Sequence, residues 1–584
     1  MLRLTGNNLI PLTTKKFYKN VACKSIGNSL RKYSSNHSVP KLILDENNIV
    51  KNPFKDVTGF ENRYVHELIW NRLDKWPDKT AIVCSSTKRS YTYSELRKLS
   101  GKLATSLRKC KLLPGDTIAV ILPNIPEYAI VTFGASEAGL RTTLINPAYT
   151  SEEIKTQLVG SDASAVVTIN SKYNEVGRII DGNPKIKVPI ILIADRLAPN
   201  YQGTINFRDL IGDDVDEFSK SEKTEVDYES TVFSPFSSGT TGPPKGVELS
   251  HRNVAANILQ TNGEGIKVGM ETTNTHQDVI PVVLPFFHIY GLITCLYKSL
   301  WLGSKIVCVP KFSMEEYLNI LINYNPSVLY VVPPMVQMLV NDERIKPRHF
   351  EGVRCIVSGA APLGPELIAQ FQSRISRTVN FLQGYGLTEA SPCIVHGVIG
   401  CSSDSGYVIP NTEIRIVGCE DKNRGQNLGI NEPGELYARG PQIMKGYYKN
   451  PTATAETMDG DWLKTGDLAS YDETGSITIR GRLKELIKVK GFQVAPAELE
   501  DVLRDFEKIE DVAVIGVPHE RFGEIPKAFV VRKKGVNLLP EEVMDFLAKR
   551  VAKYKQLGHV EFIDEIPKNS SGKILKKVLD SRPV

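Results

Sequence analysis

The sequence predicts an α/β protein that ends in a small α+β domain. Apolar, β-branched runs alternate with helical stretches from about residue 60 to residue 400. Continuous runs of this kind are typical of strands buried on both faces of a parallel sheet. After residue 400 polar and apolar residues alternate, which indicates half-exposed strands and a small β-barrel. From about residue 483 a compact α+β pattern follows.

The predicted elements follow one another in a regular order. Runs of Val, Ile and Leu predict buried strands at 81–84, 117–123, 279–284, 305–309, 328–332 and 353–357, and helices are expected at 94–110 and 314–324. Alternation predicts strands at 413–417 and 434–439. The C-terminal part has predicted helices at 497–506 and 540–554, and predicted strands at 512–517 and 528–532.

Length and composition predict a multidomain globular protein. The chain has 584 residues, of which 41% are hydrophobic and 24% charged, so it can bury large cores. Its nine cysteines include no CxxC pair, which favours free thiols over a zinc site or disulfides. No apolar stretch is long enough and free enough of charge to predict a transmembrane segment.

The basic charge is concentrated at the N-terminus. Residues 1–44 contain eight Lys and Arg residues and no Asp or Glu. Removing these eight from the 72 basic residues leaves 64 against 66 acidic residues, so the net charge of +6 does not indicate a nucleic-acid surface. The leader is also rich in Ser, Thr and Asn, which predicts a mitochondrial transit peptide over residues 1–33 and a location in the mitochondrial matrix. A disordered basic tail is the alternative.

The strongest local motif is the loop from Ser237 to Gly246, with the sequence SSGTTGPPKG. Its glycines let backbone amides surround an anion, its hydroxyls can donate to phosphate oxygens, and Lys245 can neutralise charge. A Walker P-loop fits poorly, because that motif has Gly immediately before Lys and Ser or Thr after it. A flexible Ser/Gly surface loop is the non-functional alternative.

This loop resembles the signature of the acyl-adenylate-forming, ATP-dependent AMP-binding superfamily, and further motifs of that family follow in order. They begin at Pro285, Ser358, Gln383, Lys464, Gly481 and Pro567. Among its members the chain most resembles 4-coumarate:CoA ligase and luciferase-like acyl-CoA synthetases. The resemblance implies two parallel-type α/β sheet subdomains and a barrel within an N-terminal AMP-binding domain at 34–482, followed by a mobile lid domain at 483–584.

The resemblance also implies a role for each motif residue. ATP or AMP would be bound by Ser237, Ser238, Gly239, Thr240, Thr241, Lys245, Gln383, Gly384, Thr388, Asp467, Arg482, Lys484 and Lys573, and Glu389 would bind Mg²⁺. The expected catalytic residues are Lys573, His288, Lys484 and Lys488. Tyr290, Ala361, Gly386, Cys393 and Ile394 would line the acyl pocket, and Lys311, Lys490 and Gly491 would contact coenzyme A.

The implied activity is that of an ATP-dependent acid–CoA ligase. Its partners would be a carboxylic acid, ATP and coenzyme A, and the acid would be a hydroxycinnamate-type aromatic acid or a medium-chain fatty acid. A luciferase-like oxygenase shares every motif and stays open, as does an amino-acid adenylating enzyme, although no carrier domain follows Lys573. A non-enzymatic ATP-binding module would not need Lys573, Lys484 and Gly491 together. All three are present in this sequence, which argues against that alternative.

Overall fold

The computed structural model describes residues 40–194, 201–218, 226–237, 244–375, 378–401, 405–489, 492–519, 521–569 and 573–581. The predicted transit peptide at 1–33 lies outside these ranges. All cysteines within them are free thiols, as their spacing predicted. In the same ranges we find no helix that combines the length and the apolar character needed to cross a bilayer.

The strands are numbered in chain order. The first half contains β1 Ile43–Leu44, β2 Ile49–Lys51, β3 Thr80–Cys84, β4 Ser90–Thr92, β5 Thr117–Ile121, β6 Arg141–Leu144, β7 Ala163–Ile169, β8 Ile190–Ile193, β9 Thr204–Asn206, β10 Thr231–Phe233, β11 Phe236–Ser237, β12 Lys245–Ser250, β13 Val279–Val282 and β14 Lys305–Cys308. The second half contains β15 Val328–Val331, β16 Cys355–Ser358, β17 Asn380–Gly386, β18 Cys393–His396, β19 Tyr407–Val408, β20 Glu413–Val417, β21 Gly434–Arg439, β22 Gly446–Tyr447, β23 Met458–Asp459, β24 Trp462–Tyr471, β25 Ile477–Arg482, β26 Ile487–Val489, β27 Phe492–Val494, β28 Ile509–His519, β29 Gly523–Arg532 and β30 His559–Phe562.

The α-helices are numbered in the same way. They are α1 Val65–Trp70, α2 Tyr93–Lys109, α3 Glu127–Glu137, α4 Ser151–Gly160, α5 Tyr173–Ile180, α6 Phe207–Leu210, α7 His251–Gln260, α8 Lys298–Trp301, α9 Met314–Tyr324, α10 Pro333–Asn341, α11 Pro365–Arg374, α12 Pro451–Thr457, α13 Pro496–Arg504, α14 Pro540–Ala548 and α15 Lys576–Asp580. A π-helical segment, Tyr290–Tyr297, runs directly into α8.

Helix boundaries follow local capping signals. Helix α2 begins after Thr92, whose side chain accepts from the backbone N–H of Glu95, while Glu95 bonds back to Thr92. Helix α9 begins after Ser313, whose side chain accepts from the backbone N–H of Glu316, and it ends at Asn325 with a left-handed φ of 45°. The expected helices at 94–110 and 314–324 are therefore confirmed to within one residue at each end.

The largest sheet has nine strands. Its order is β11-β12-β10-β6-β5-β7-β8-β9, and β22 pairs with β12. The strands from β10 through β6, β5, β7 and β8 to β9 are parallel, whereas β11, β12 and β22 pair antiparallel. The expected parallel core is confirmed, and the phosphate loop is the connection of the β11–β12 hairpin at its edge.

A second parallel-type layer consists of two adjoining sheets. One has the order β13-β14-β3-β4 and the other β15-β16-β17-β18-β19. The backbone N–H of Ser327 donates to the carbonyl of Val279 over 2.9 Å, so the strands β13 and β15 lie side by side. These two layers correspond to the two α/β subdomains that the resemblance implied.

Five strands between residues 413 and 482 join β1 and β2 in an open antiparallel sheet. Its order is β1-β2-β20-β21-β24-β23, with β25 on β24. Among the described residues no pairing joins β1 to β23, so the prediction of a small closed barrel is wrong. The alternating pattern was correctly interpreted as half-exposed strands, but it does not distinguish an open sheet from a closed one, because both have one buried face.

The C-terminal part has its own sheet, β27-β26-β29-β28 with β30 on β29. One apolar cluster of this part contains Leu499, Leu503, Val512 and Val530 and extends from Ile487 to Leu557. The main core of the rest of the molecule extends from Val50 to Ile477. Separate cores agree with the expected boundary near residue 483, which stays a prediction.

Candidate active site

The phosphate loop begins and ends on paired strands. Ser237 closes β11 and lies opposite Lys245, the first residue of β12. The Lys245 ammonium lies 5.0 Å from the centre of the Tyr447 ring. Ser238, Gly239, Thr240 and Thr241 lie outside the described residues, so their contacts with phosphate stay predictions. The hairpin nevertheless fixes both ends of the loop next to a lysine.

Tyr447 connects this lysine to the predicted metal ligand. Its hydroxyl donates to Oε1 of Glu389 over 2.9 Å, and its strand β22 pairs with β12. Glu389 lies in a one-turn 3₁₀ helix, Thr388–Ala390, and its carbonyl accepts from the backbone N–H of Met444. Sequence reasoning did not identify Tyr447. Its position after a glycine and before Tyr448 offered only a weak signal.

The predicted ribose residues meet as a cross-strand pair. Asp467 on β24 and Arg482 on β25 are register partners, and the arginine Nε lies 2.8 Å from the aspartate Oδ1. The Tyr385 hydroxyl donates to the other carboxylate oxygen over 2.6 Å. Asp467 is only 4% exposed. Burial raises the pKa of Asp467, and the charge of Arg482 opposes that shift.

Gln383 holds a loop with its side chain. Its Oε1 accepts from the backbone N–H of Leu363 over 2.9 Å, and its Nε2 donates to the Leu363 carbonyl. The side-chain amide is therefore used inside the protein, and a nucleotide contact would be left to the backbone. Gly384 pairs with His396 between β17 and β18, and a Cβ atom there would meet only ordinary contacts. Both residues thus shape the wall next to Ala361.

His288 lies in a tightly held turn. Asn124 accepts from the Phe286 N–H over 2.8 Å and donates to the carbonyls of Val282 and Leu284. The His288 Nδ1 accepts from the backbone N–H of Tyr290 over 3.3 Å, which leaves the proton of a neutral imidazole on Nε2. Burial lowers the pKa of His288 to about 4. Near neutral pH this side chain is therefore an uncharged donor.

Asn124 was missed at the sequence level. It follows the buried run 117–123, and a polar residue directly after a buried strand is a signal that could have identified it. At 5% exposure it makes three hydrogen bonds to the backbone around the His288 turn. It is a positioning residue, because none of these bonds involves the imidazole itself.

Four of the five predicted acyl-pocket residues come together. The Tyr290 hydroxyl donates to the carbonyl of Val357, and its ring packs against Gly359 beside Ala361. Gly386 and Cys393 are register partners, and a Cβ at Gly386 would overlap the carbonyl of Pro392. The thiol of Cys393 is close enough to Tyr290 to influence its pKa, which burial raises.

Ile394 follows Cys393 on β18 and is fully buried in the main hydrophobic core. Gly386 pairs with Cys393 but Tyr385 pairs with Val395, so Ile394 is the extra residue of a β-bulge. The regular alternation of faces is interrupted at such a bulge. The place of Ile394 in the acyl pocket therefore stays a prediction.

The Lys573 amine, from the C-terminal part of the chain, lies within electrostatic range of the ribose pair. Its backbone N–H donates to Oδ1 of Asn569 over 2.9 Å. Burial lowers the pKa of the Lys573 amine, the charge of Arg482 lowers it further, and Glu485 and Asp467 oppose the shift. Lys576, three residues later, bridges Glu485 at 3.1 Å and Glu500 at 3.3 Å. The C-terminal segment therefore lies against the nucleotide end of the site.

Three of the remaining predicted residues lie at the surface. Lys484 and Lys488 are exposed on either side of the junction near residue 486, and Lys311 is exposed after β14. The backbone N–H of Lys488 donates to Oε2 of Glu524. Lys490 and Gly491 lie outside the described residues. The roles of all five stay predictions.

The site combines paired charges, a hydroxyl-rich loop and a lysine from the C-terminal part of the chain. These features suit an enzyme that binds and activates a nucleotide. Residues 69–448 match the AMP-binding enzyme family, and residues 498–573 match the AMP-binding enzyme C-terminal domain. The chain belongs to the AMP-binding enzyme family.

Similar proteins cover nearly the whole chain. 4-Coumarate–CoA ligase 2 of Oryza sativa subsp. japonica is 38% identical over 89% of this chain and 92% of its own length. The 4-coumarate–CoA ligase of Vanilla planifolia is 36% identical over 91% and 96%, respectively. ATP-bound MatB from Rhodopseudomonas palustris has a TM-score of 0.79 at 26% identity, over 89% of this chain and 98% of that chain. A benzoate CoA ligase from Burkholderia xenovorans LB400 shares the fold, with a TM-score of 0.78 at 23% identity, over 89% and 100%.

Proposed function

We propose that the protein is an ATP-dependent acid–CoA ligase that acts through an acyl-adenylate. The observation that carries this proposal is the buried Asp467–Arg482 pair, which the Tyr385 hydroxyl completes and which lies within electrostatic range of Lys573. A lysine from the lid and a ribose-type carboxylate suit the activation of a carboxylate by ATP. The two plant relatives named above are 4-coumarate–CoA ligases, which favours a hydroxycinnamate-type acid over a medium-chain fatty acid.

In the first half-reaction the substrate carboxylate attacks the α-phosphorus of ATP. A bond forms between a carboxylate oxygen and phosphorus, the bond to the β-phosphate breaks, and pyrophosphate leaves. Lys573 neutralises charge at the α-phosphate, and Lys245 does so at the β- and γ-phosphates. Asp467 accepts hydrogen bonds from the ribose hydroxyls. The chemistry needs positioning and charge stabilisation rather than a protein nucleophile.

Glu389 suits a magnesium site. Tyr447 holds one oxygen of the carboxylate, and a Mg²⁺ ion commonly binds one or two carboxylates together with phosphates and water. In the described ranges no group of three or more His, Cys, Asp or Glu residues could hold a metal alone, which fits an ion that arrives with the nucleotide. When bound, the ion would offset the negative charge of the phosphates.

In the second half-reaction the thiolate of coenzyme A attacks the acyl carbon and AMP leaves. The C-terminal domain would rotate at Lys484, withdraw Lys573 and present Lys488, Lys490 and Gly491. Lys311 would contact coenzyme A from the N-terminal side. His288, uncharged near neutral pH, would orient the acyl carboxylate by donating from Nε2.

Pyrophosphate release tests the proposal. The protein is incubated with ATP, Mg²⁺ and a panel of aromatic and aliphatic acids, with and without coenzyme A, and the products are identified by mass spectrometry. We expect acid-dependent release and formation of the CoA thioester. Acyl-adenylate without thioester would favour an amino-acid adenylating enzyme, and oxygen uptake with light emission would favour the luciferase-like alternative. A total absence of acid-dependent release would reject the ligase.

We also propose that the protein acts in the mitochondrial matrix, because residues 1–44 are basic and contain no acidic residue. A fusion of residues 1–40 to a fluorescent reporter should be imported and shortened, with cleavage expected after Tyr33. As a control, replacing the seven basic residues within 1–40 with Gln should abolish import. A reporter that stays in the cytosol would reject this location.

A further inference from the structure

One tyrosine contacts both the carboxylate proposed for the metal and the lysine proposed for the phosphates. The Tyr447 hydroxyl donates to Oε1 of Glu389 over 2.9 Å, and the Lys245 ammonium lies 5.0 Å from the centre of the same ring. In the described part of the chain no residue forms a hydrogen bond or an ion pair with the second carboxylate oxygen of Glu389. Tyr447 therefore joins two charged groups and occupies only one oxygen of the acidic one.

The backbone fixes the position of the Tyr447 ring. Tyr447 is the second residue of β22 and lies opposite Val247 on β12. Lys245 precedes Val247 by two residues, so the Lys245 and Tyr447 side chains lie on the same face of the strand pair. The Tyr447 N–H also donates to Oγ1 of Thr454 over 2.9 Å. The ring is thus placed beside Lys245 by main-chain pairing on one edge and by a side-chain acceptor on the other.

The hydroxyl of Tyr447 acts as a donor. Burial raises the pKa of Tyr447, and the negative charge of Glu389 raises it further. The hydroxyl therefore keeps its proton near neutral pH and gives it to the carboxylate in a charge-assisted hydrogen bond. Such a bond limits the orientations that the carboxylate can adopt, and a carboxylate held in this way binds a metal ion more tightly than a free one.

The next residue has the same kinds of contact with different partners. The Tyr448 hydroxyl donates to Oδ2 of Asp162 over 2.8 Å, and the guanidinium of Arg141 lies 3.9 Å from the centre of its ring. Neither Asp162 nor Arg141 belongs to the predicted site. Tyr448 therefore provides a matched control for Tyr447, with a hydroxyl on a carboxylate and a cation over the ring.

We propose that Tyr447 is a positioning residue that couples the magnesium carboxylate to the phosphate-loop lysine. Its hydroxyl orients Glu389 for Mg²⁺, and its ring holds the Lys245 ammonium beside the β- and γ-phosphates. The metal ion and the lysine then act on the same triphosphate. This inference rests on the proposed ligase function, and Tyr447 acts through Glu389 and Lys245 rather than on the reacting atoms.

The first test measures nucleotide binding without turnover. The affinity for α,β-methylene-ATP is determined by isothermal titration calorimetry in the absence of acid, once with EDTA and once with saturating Mg²⁺. We expect Mg²⁺ to tighten binding to the wild type by at least about 10-fold. In Tyr447→Phe, which keeps the ring, this gain should fall below about 2-fold, because loss of a group that orients a metal ligand typically costs about 10- to 100-fold in metal affinity. The metal-free Kd should stay within about 2-fold of the wild type.

The second test separates the ring from the hydroxyl. Tyr447→Leu removes both, so its metal-free binding of α,β-methylene-ATP should be about 3-fold weaker than that of Tyr447→Phe, as the loss of a cation–π contact predicts. Binding of AMP, which lacks the β- and γ-phosphates, should not differ between the two variants. In a Lys245→Met background the difference between Phe and Leu at position 447 should disappear.

Tyr448→Phe is the control for the hydroxyl. It removes the donor to Asp162, and both the metal-free Kd and the gain from Mg²⁺ should stay at their wild-type values. Thermal unfolding of each variant without nucleotide reports any general loss of stability. If Tyr447→Leu does not fold, Tyr447→Phe and Tyr448→Phe carry the test by themselves.

The outcomes distinguish this inference from the ligase proposal. A wild-type gain from Mg²⁺ that persists in Tyr447→Phe, or a wild type that shows no such gain, would overturn the positioning role. An equal loss of affinity with and without Mg²⁺, or the same loss in Tyr448→Phe, would indicate general damage and would also overturn it. None of these results requires an acid or coenzyme A, so they leave the ligase proposal intact. Failure of the wild type to bind the ATP analogue under either condition would reject the ligase itself.

Discussion

Three charged side chains form the nucleotide end of the site, namely Asp467, Arg482 and Lys573. The first two are cross-strand partners, and the third comes from the C-terminal part of the chain. Buried charges are retained when they are paired, because desolvation of a single charge is costly. Here the carboxylate of Asp467 lies near two cations, and each cation can stabilise a negatively charged nucleotide. Glu485 and Glu389 also lie within electrostatic range of Arg482, so acidic and basic side chains are mixed at this end of the site.

Removal of the Lys573 amine should separate the two half-reactions. We expect Lys573→Ala to slow adenylation about 10²- to 10³-fold, because one charge stabiliser of the transition state is lost. Thioester formation from a supplied acyl-adenylate should change less than about 3-fold. Stopped-flow measurement of each half-reaction checks this. Lys549→Ala, an exposed lysine just after α14, is the control and should affect neither step. An equal loss in both steps would contradict a rotation of the lid.

Asp467→Asn should weaken ATP binding. The substitution removes the charge that pairs with Arg482 and the acceptor for the Tyr385 hydroxyl. We expect the KM for ATP to rise about 10- to 100-fold, equivalent to roughly 1–3 kcal/mol for a lost charged hydrogen bond. The control is Asp459→Asn, whose pair with Arg415 lies on the same sheet but is largely exposed. That variant should leave the KM unchanged, and a similar rise in both would indicate a general effect on the sheet.

Among the elements, the start of the π-helical segment Tyr290–Tyr297 is closely packed. A Cβ atom at Gly291 would overlap the carbonyl of Pro285, so only glycine fits there. We expect Gly291→Ala to lower the free energy of unfolding by about 1–3 kcal/mol and to displace His288. Denaturant titration measures the first effect, and the KM for the acid reports the second.

A glycine in an open position provides the comparison. Gly177 lies in α5, and a Cβ there would touch only Ile190 at 4.0 Å. Gly177→Ala should leave stability unchanged or raise it slightly, because alanine is the better helix former. If both glycine variants behave alike, close packing at Gly291 is not what determines the His288 turn.

Elements were easier to predict where their signals are local. The buried strands predicted from β-branched runs and the expected helices α2 and α9 agree with the structure to within about two residues. The sequence did not predict two features, namely the open form of the antiparallel sheet and the π-helical segment Tyr290–Tyr297. Both depend on contacts between distant parts of the chain. Closure of a sheet requires its two edge strands to meet, and no sequence period encodes that.

At the scale of the whole molecule, buried histidines should make stability depend on pH. Burial lowers the pKa of His251 to about 3 and that of His396 to about 4, whereas both side chains titrate near 6.5 in an unfolded chain. The unfolded chain therefore binds protons that the folded protein does not. The stability that the two neutral histidines contribute to the folded protein is complete above pH 6.5. It is lost as the pH falls towards 3–4.

We expect each of these histidines to reduce the free energy of unfolding by about 2 kcal/mol between pH 7 and pH 5. His251→Gln should reduce this pH dependence by that amount, as measured by denaturant titration at both values. His559→Gln, at an exposed position of β30, is the control and should not change it. An identical pH dependence in His251→Gln and the wild type would contradict the neutral state of His251.

Local signals, namely buried apolar runs and glycine-rich loops, were enough to predict the α/β architecture, the order of the motifs and the residues around which the site is built. How these residues are used depends on tertiary contacts. The Gln383 side-chain amide holds a loop, and Asn124 supports the turn that carries His288. These outcomes depend on which side chains meet across long separations in sequence, and packing of the whole core selects those meetings.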